Sequence, residues 1–339
     1  GNPVSDPAFE AKCIAYFGLR MYNEGYSLTE AKLGQDPTSH VAAIFQARFA
    51  SNSGRTEKAV QRYTEAAPYV AVEICEEAGN YIISSGQNPE EFIKSLESSE
   101  DPTKQMLAKG LLARLAMIEN DTAKAESFLR EAIALYPQAP GVRSALATLL
   151  YSLDRKEDAR TVLEEAIQDN PNTDDLKVRL AALLLESDSR EDQQKILTLL
   201  KDICVPQQKD GFPYAVLSAA QAALGQSEQA MQSALRADEL GNGGSEAPYQ
   251  LGLRYLEKRR YIEAIEPFRR AMQAGPNDAR IPDVLVKAYN GAAAEADTDL
   301  LKKSYSEEVL KIQPTDETAL EVLKKANEAL EAAAAAVNE

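Results

Sequence analysis

Pro137 and Pro171 stand 34 residues apart, and the residues ahead of them recur at the same offsets. Leu112, Ala113, Ala116, Ala125, Leu129 and Ala132 precede the first; Leu146, Ala147, Leu150, Ala159, Leu163 and Ala166 precede the second. A third copy runs Pro248, Leu251, Gly252, Tyr255, Ala264, Phe268, Ala271 and closes at Pro276. A period of this length means that each segment is one small structural unit, too small to bury its own apolar face, which must stack on its neighbours. The apolar positions inside each copy fall in two helical groups separated by a break, so each unit is an antiparallel helix pair. Small residues at Gly252, Ala147 and Ala113 let the second helix approach the first, Ala264 and Ala159 do the same from the other side, and Phe268, Leu163 and Leu129 bury against the next pair. The closing proline ends the second helix because it pushes the preceding residue out of the α region. All of these positions serve packing and none carries reactive chemistry.

The spacing in 248–276 resembles the tetratricopeptide repeat, with Pro248 where that pattern usually has Trp, and its neighbours keep the family's 34-residue length. The same ruler divides the chain into units near 9–39, 40–71, 72–105, 106–139, 140–173, 174–210, 211–244, 245–278 and 279–316, followed by a capping helix over 317–339. The first unit reads as a shortened pair, Phe9–Tyr22 and Leu28–Gly34, with Ser27 and Glu30 in capping-box spacing. Extra residues fall around Pro206–Asp210 and near Ala292–Thr298, and Asp154 and Thr122 stand where second helices begin. The fold class that follows is all-α, about eight or nine helix pairs. The resemblance implies that they form one continuous right-handed superhelical α-solenoid over 1–316, with the first helix of every pair lining a concave groove.

Composition agrees and excludes several functions. The 339 residues are 44% hydrophobic and 6% aromatic, and 37 Lys and Arg against 53 Asp and Glu leave a net charge of −16. A field of that sign repels phosphate backbones and anionic headgroups, so no nucleic acid or membrane-surface partner is expected. Apolar runs such as Leu180–Leu185 and Leu111–Ile118 are too short to span a bilayer, which needs about 20 residues of helix. Cys13, Cys75 and Cys204 are odd in number and form no CxxC pair, which suits small buried hydrophobes in a reducing compartment. The opening GNPVSDPAF reads as a trimmed or mature N-terminus. The cytoplasm is therefore the first expectation and the periplasm stays open.

No catalytic or cofactor-binding residues emerge. His40, the single histidine, is expected in an inter-repeat turn, so histidine relays and multi-histidine metal sites cannot be built. GxxxxGK[ST] is absent, as is a GxGxxG after a strand. The acidic clusters Glu97–Asp101 and Glu186–Asp192 lack EF-hand spacing, Gly241–Ser245 reads as a helix C-cap, and Lys258-Arg259-Arg260 as a solvated helix end. The expectation is no enzyme, no cofactor and no metal.

By the resemblance, the partner is a protein or peptide held in the groove. The groove positions are polar in the N-terminal half and mostly apolar beyond it. Arg48, Asn80 and Arg114 are candidates to hold a peptide's carboxylates and amides, and Tyr151, Leu185 and Leu256 to contact its apolar side chains. The same residues could instead solvate the surface or pair with acids such as Glu76 and Glu77. The family's carboxylate clamp of paired Lys and Asn is not reproduced. The function read here is a non-catalytic interaction scaffold within a larger assembly. The alternatives are a self-assembling homo-oligomeric scaffold, with contacts at the first pair and the Ala332–Ala336 helix end, or a regulatory or assembly region of a larger protein in envelope biogenesis, secretion or an enzyme.

Overall fold

The computed structural model describes residues 6–187 and 189–337, with side chains to residue 335. Asp188 of the Glu186–Asp192 stretch, residues 338 and 339 of the expected cap and the side chain of Ala336 lie outside the described residues. Among the described residues every regular element is helical, and the repeat period predicts their order. The first unit, Gly1–Pro171, contains α1 (Pro7–Gly18), α2 (Tyr22–Gln35), α3 (His40–Asn52), α4 (Thr56–Ala66), α5 (Val72–Ser84), α6 (Glu90–Glu97), α7 (Pro102–Ile118), α8 (Thr122–Leu135), α9 (Pro140–Ser152) and α10 (Lys156–Asp169). The second unit, Asn172–Glu339, contains α11 (Asp174–Leu184), α12 (Arg190–Leu200), α13 (Phe212–Ala223), α14 (Ser227–Leu240), α15 (Glu246–Glu257), α16 (Tyr261–Ala274), α17 (Arg280–Glu295), α18 (Asp299–Ile312) and α19 (Glu317–Val337). In both, helices pack chiefly on the one before and the one after, except α5, whose main partner is α7.

The turn inside the pairs has one recurrent form. Arg20, Gly54, Gly86, Asn120, Asp154, Gly225 and Arg259 all adopt left-handed backbone, with φ between 56° and 78°. In each case the next N–H bonds the carbonyl five residues back, as in Arg55 N to Ala50 O at 2.9 Å, Asp121 N to Ala116 O at 2.8 Å and Arg260 N to Tyr255 O at 2.9 Å. This closes the first helix and starts the second within three residues, or five at Gly86. Asp154 is therefore the left-handed turn residue rather than a cap, and the cap of α8 is Asp121, whose carboxylate accepts from Lys124 N at 3.1 Å. Ser27 and Glu30 lie inside α2, which begins at Tyr22, so the capping box expected there does not form. The extra residues near Ala292 lengthen α17 to Glu295 instead of forming a loop.

The small residues of the repeat do what close approach requires. A Cβ built on Gly252 of α15 would stand 2.6 Å from the Phe268 ring of α16, and one on Gly79 of α5 would stand 2.7 Å from Leu111 of α7. Phe268 is fully buried in a cluster with Tyr249, Ile281, Leu285 and Tyr289, so it packs both within its pair and against the next. Cys13 and Cys75 are buried and Cys204 half-buried, and burial pushes their thiols up, to about 11 at Cys13 and about 12 at Cys204. His40 begins α3 instead of lying in a turn, and its ring stacks on Tyr69 at 4.0 Å.

Candidate functional site

Because side chains three and four residues apart share a helix face, Glu73, Glu76 and Asn80 line up on α5, and Met106, Gly110, Arg114 and Met117 on α7. Both rows, with Gly141 and Ala145 of α9, border a cavity of about 520 Å³. Arg114 donates to Asn80 Oδ1 at 2.5 Å across the two helices, joining residues one repeat apart. Glu73 and Glu76 form no ion pair among the described residues, so the rim carries two carboxylates and one guanidinium.

Arg48 lies elsewhere. It borders a cavity of about 560 Å³ with Ile14, Phe17 and Phe45, and it is held by Glu77 through two hydrogen bonds, Nε to Oε1 at 2.9 Å and Nη2 to Oε2 at 2.6 Å. Tyr63 OH donates to the same Oε1 at 3.1 Å. Burial is the largest single influence on Glu77 and opposes its charge, but the hydrogen bonds and charge of Arg48 together with the Tyr63 hydrogen bond outweigh it and hold the carboxyl below its usual range. The Glu77 hydrogen bonds raise the Arg48 guanidinium further, and burial, then Glu77, pushes the Tyr63 phenol up. Arg48 is thus neutralised within the protein, through the pairing with Glu77 that its sequence neighbourhood left open, and the structure brings only Asn80 and Arg114 together.

The second unit has its own cavity, about 670 Å³, between α11, α12, α13 and α15. Val216, Ala219 and Leu253 form an apolar floor, and Leu185, at the C-cap of α11, stands at its edge. Its wall is polar, contrary to the apolar C-terminal half expected from sequence. Arg280, just past the preceding turn on α17, reaches back to Glu246 at 2.8 Å, binds Asp278 at 2.7 Å and stacks 4.5 Å above Tyr249. The hydrogen bond from Arg280 lowers the Asp278 carboxyl and that bond in turn raises the guanidinium. Gln250 donates to Glu246 at 2.8 Å and accepts from Arg254 at 3.5 Å. Gln193 of α12, only 5% exposed, donates Nε2 to Ser187 O at 2.7 Å.

Tyr151 of α9 is 43% exposed and lines none of these three cavities. Leu256 does not either: it packs on the cluster around Phe268 and Leu285. Sequence reasoning missed Gln193 because it lies on a second helix, and Gln250 and Arg280 because only the first-helix positions next to each small packing residue and one turn beyond were considered. A usable signal existed for Arg280, which stands 34 residues after Glu246, the same one-repeat interval that separates Arg114 from Asn80. Among the described residues no group of three or more His, Cys, Asp or Glu could hold a metal ion, and no helix is long and apolar enough to cross a membrane.

A model of the tetratricopeptide repeat matches residues 116–184. No curated protein matches the chain in sequence. Solved structures share the fold at low identity. The APC/C heterotetramer Cut9–Hcn1 superposes with a TM-score of 0.51 at 12% identity, over 94% of this chain and 75% of that one. Pseudomonas aeruginosa pilF gives 0.51 at 16%, over 66% of this chain and 99% of its own. The C-terminal part of a repeat protein from Cytophaga hutchinsonii also gives 0.51, at 12% identity, over 73% and 99%. The repeats over 116–184 are thus tetratricopeptide repeats, and the chain as a whole, with the same spacing in its sequence, has the all-α helix-pair fold of these solenoid proteins.

Proposed function

We propose that the protein is a non-catalytic interaction scaffold that holds a partner segment against the first helices of its pairs. The observation that supports this reading is the placement of the cavities: those of about 520 and 670 Å³ open between successive first helices, are of a size that binds ligands, and combine an apolar floor with a few polar groups. Asn80 and Arg114, already bonded to each other, are the polar anchors of the first cavity, and Leu185 contributes to the second. Arg48 acts through its pair with Glu77 as a brace between α3 and α5. Selection of 12-residue peptides from a displayed library tests the reading. Binders are expected to lose about tenfold in affinity, or more, to Arg114→Ala or to Ala219→Arg. Failure to select any peptide sensitive to either substitution rejects it.

Self-association is a second reading, supported by Ile14 and Leu19, which leave 63% and 70% of their surface exposed at the first helix pair, and by Leu300 and Leu320, exposed by 66% and 47% near the last helices. Light scattering over a hundredfold range of concentration distinguishes it. A mass that rises without added partner supports the self-assembling form, and a constant mass removes it.

A further inference from the structure

We infer that Asn242 is a self-modifying site: the Gly243 amide nitrogen attacks the Asn242 side chain, and the product unties the loop before α13 from the turn before α15. The segment Gly241–Ser245 is the glycine cluster that joins α14 to α15, and it lines none of the three cavities. Two asparagines in the chain precede glycine, Asn242 and Asn290, and glycine, lacking Cβ, leaves the approach to the asparagine side chain unobstructed. The reaction is intramolecular and needs only water. The Gly243 nitrogen bonds to Cγ of Asn242 and gives up its proton, the side-chain nitrogen leaves as ammonia, and a five-membered succinimide remains. Water then opens one of its two carbonyls, giving aspartate or, with the main chain rerouted through the side chain, isoaspartate.

The fold decides between the two positions. Asn290 and Gly291 lie inside α17, where the Gly291 N–H belongs to the helix's own hydrogen-bond ladder and the backbone cannot rotate toward the side chain. Asn290 Nδ2 is also held by Asp316 Oδ1 at 3.3 Å, and its own Oδ1 is buried. Asn242 is exposed and outside any helix. Gly241 and Gly244 beside it stand at φ 71° and 58°, so the segment is built from the residue with the widest backbone freedom. Among the described residues the Gly243 N–H donates no hydrogen bond. Gly243 is fixed by packing, since a Cβ there would stand 2.5 Å from that of Ala247. Close approach at the start of α15 thus demands the one residue that also permits the cyclisation.

The product acts on its neighbour. Asn242 Nδ2 donates to Lys209 O at 3.3 Å, and a carboxylate has no N–H to donate. Two acceptors then face each other, the bond is lost, and isoaspartate also lengthens the main chain by one carbon. Tyr214 OH still donates to Val205 O at 3.0 Å and Arg236 to Pro206 O at 3.3 Å, so the part released is Lys209 and the residues beside it.

The test ages the folded full chain at neutral pH beside a synthetic peptide of residues 239–246. The peptide sets the upper rate, because burial of Gly243 in the protein shields its N–H from base. Samples are digested with pepsin in acid, where cyclisation stops, and the fragments are weighed. The expected result is a gain of one mass unit at Asn242, ammonia lost and water gained, divided between aspartate and isoaspartate, with Asn290 unchanged over the same period. No gain at Asn242 while the peptide converts, or equal gains at Asn242 and Asn290, overturns the site. Asn242→Gln would need a six-membered ring and is expected to keep its mass; a gain there at the native rate also overturns it. Trypsin reads the loop. Cleavage after Lys209 is expected about two- to tenfold faster in the aged chain and in Asn242→Asp than in the fresh chain, as the loss of one hydrogen bond implies. An equal rate in all three, or an equal rise after Lys258, which marks general unfolding, overturns the release of the loop.

Discussion

At the scale of the residue, the repeat places demands that single atoms meet or miss. Gly252 has no room for a methyl group, because the Phe268 ring occupies it, whereas a Cβ on Gly110, in the middle of α7, would meet nothing within 4 Å. Gly252→Ala is therefore expected to cost about 1–3 kcal/mol through overpacking, and Gly110→Ala to add about 0.5–1 kcal/mol through lost unfolded-state entropy. Chemical denaturation of the two variants checks the opposite signs. Arg259 sits in the left-handed turn position at φ 56°, where Gly54 and Gly225 occupy the equivalent place in other pairs. Left-handed backbone costs an ordinary side chain about 1–2 kcal/mol, and glycine's greater chain entropy returns part of that. Arg259→Gly is thus expected to raise stability by about 0.5–1 kcal/mol, read as a higher midpoint in urea. The glycines at this position were legible in sequence, but Arg20, Asn120, Asp154 and Arg259 were not, because the turn's hydrogen bonds hold any residue there once the two helices have docked.

Between elements, the informative contacts are cross-helix pairs. Arg48 and Glu77 join α3 to α5 over 29 residues, and Tyr63 of α4 adds a third group. Because the folded Glu77 carboxyl titrates below its ordinary value of 4.5, the pair contributes stability above that pH and loses it as the pH falls through the folded value. Glu77→Gln is expected to flatten the fall in melting temperature between neutral pH and pH 3 relative to the native protein; an unchanged slope refutes the linkage. Both side chains remain partly exposed, so salt is expected to weaken the pair. Sequence named Glu77 as a possible neighbour of Arg48. It carried no information on which rotamers meet, and a charge that looked available to a ligand proved to be engaged. Gln193 likewise reads as an ordinary helix residue until its burial and its unbonded oxygen are known.

For the molecule as a whole, helices pack mainly on their neighbours in the chain or, for α5, on the helix after next, so in each unit cohesion is local and cumulative rather than centred on one core. Hydrogen exchange is therefore expected to show graded protection, with α1, α2, α18 and α19 opening before the helices between them in their own units. Uniform protection released in one global step contradicts this. The sequence by itself determined the helix-pair unit, its 34-residue length, the small residues at Gly252, Ala147 and Ala113 and the all-α class, because periodic burial must be written periodically in the chain. Only the tertiary structure decided the chemistry of the cavities. It spent Arg48 on Glu77 and Arg280 on Glu246 and Asp278, bonded Arg114 to Asn80, turned Leu256 into a packed cluster and left the Gln193 oxygen without a donor. Packing follows from which residue types recur, whereas the availability of a polar group depends on which atoms of another helix come within about 3 Å of it, a distance no sequence period encodes.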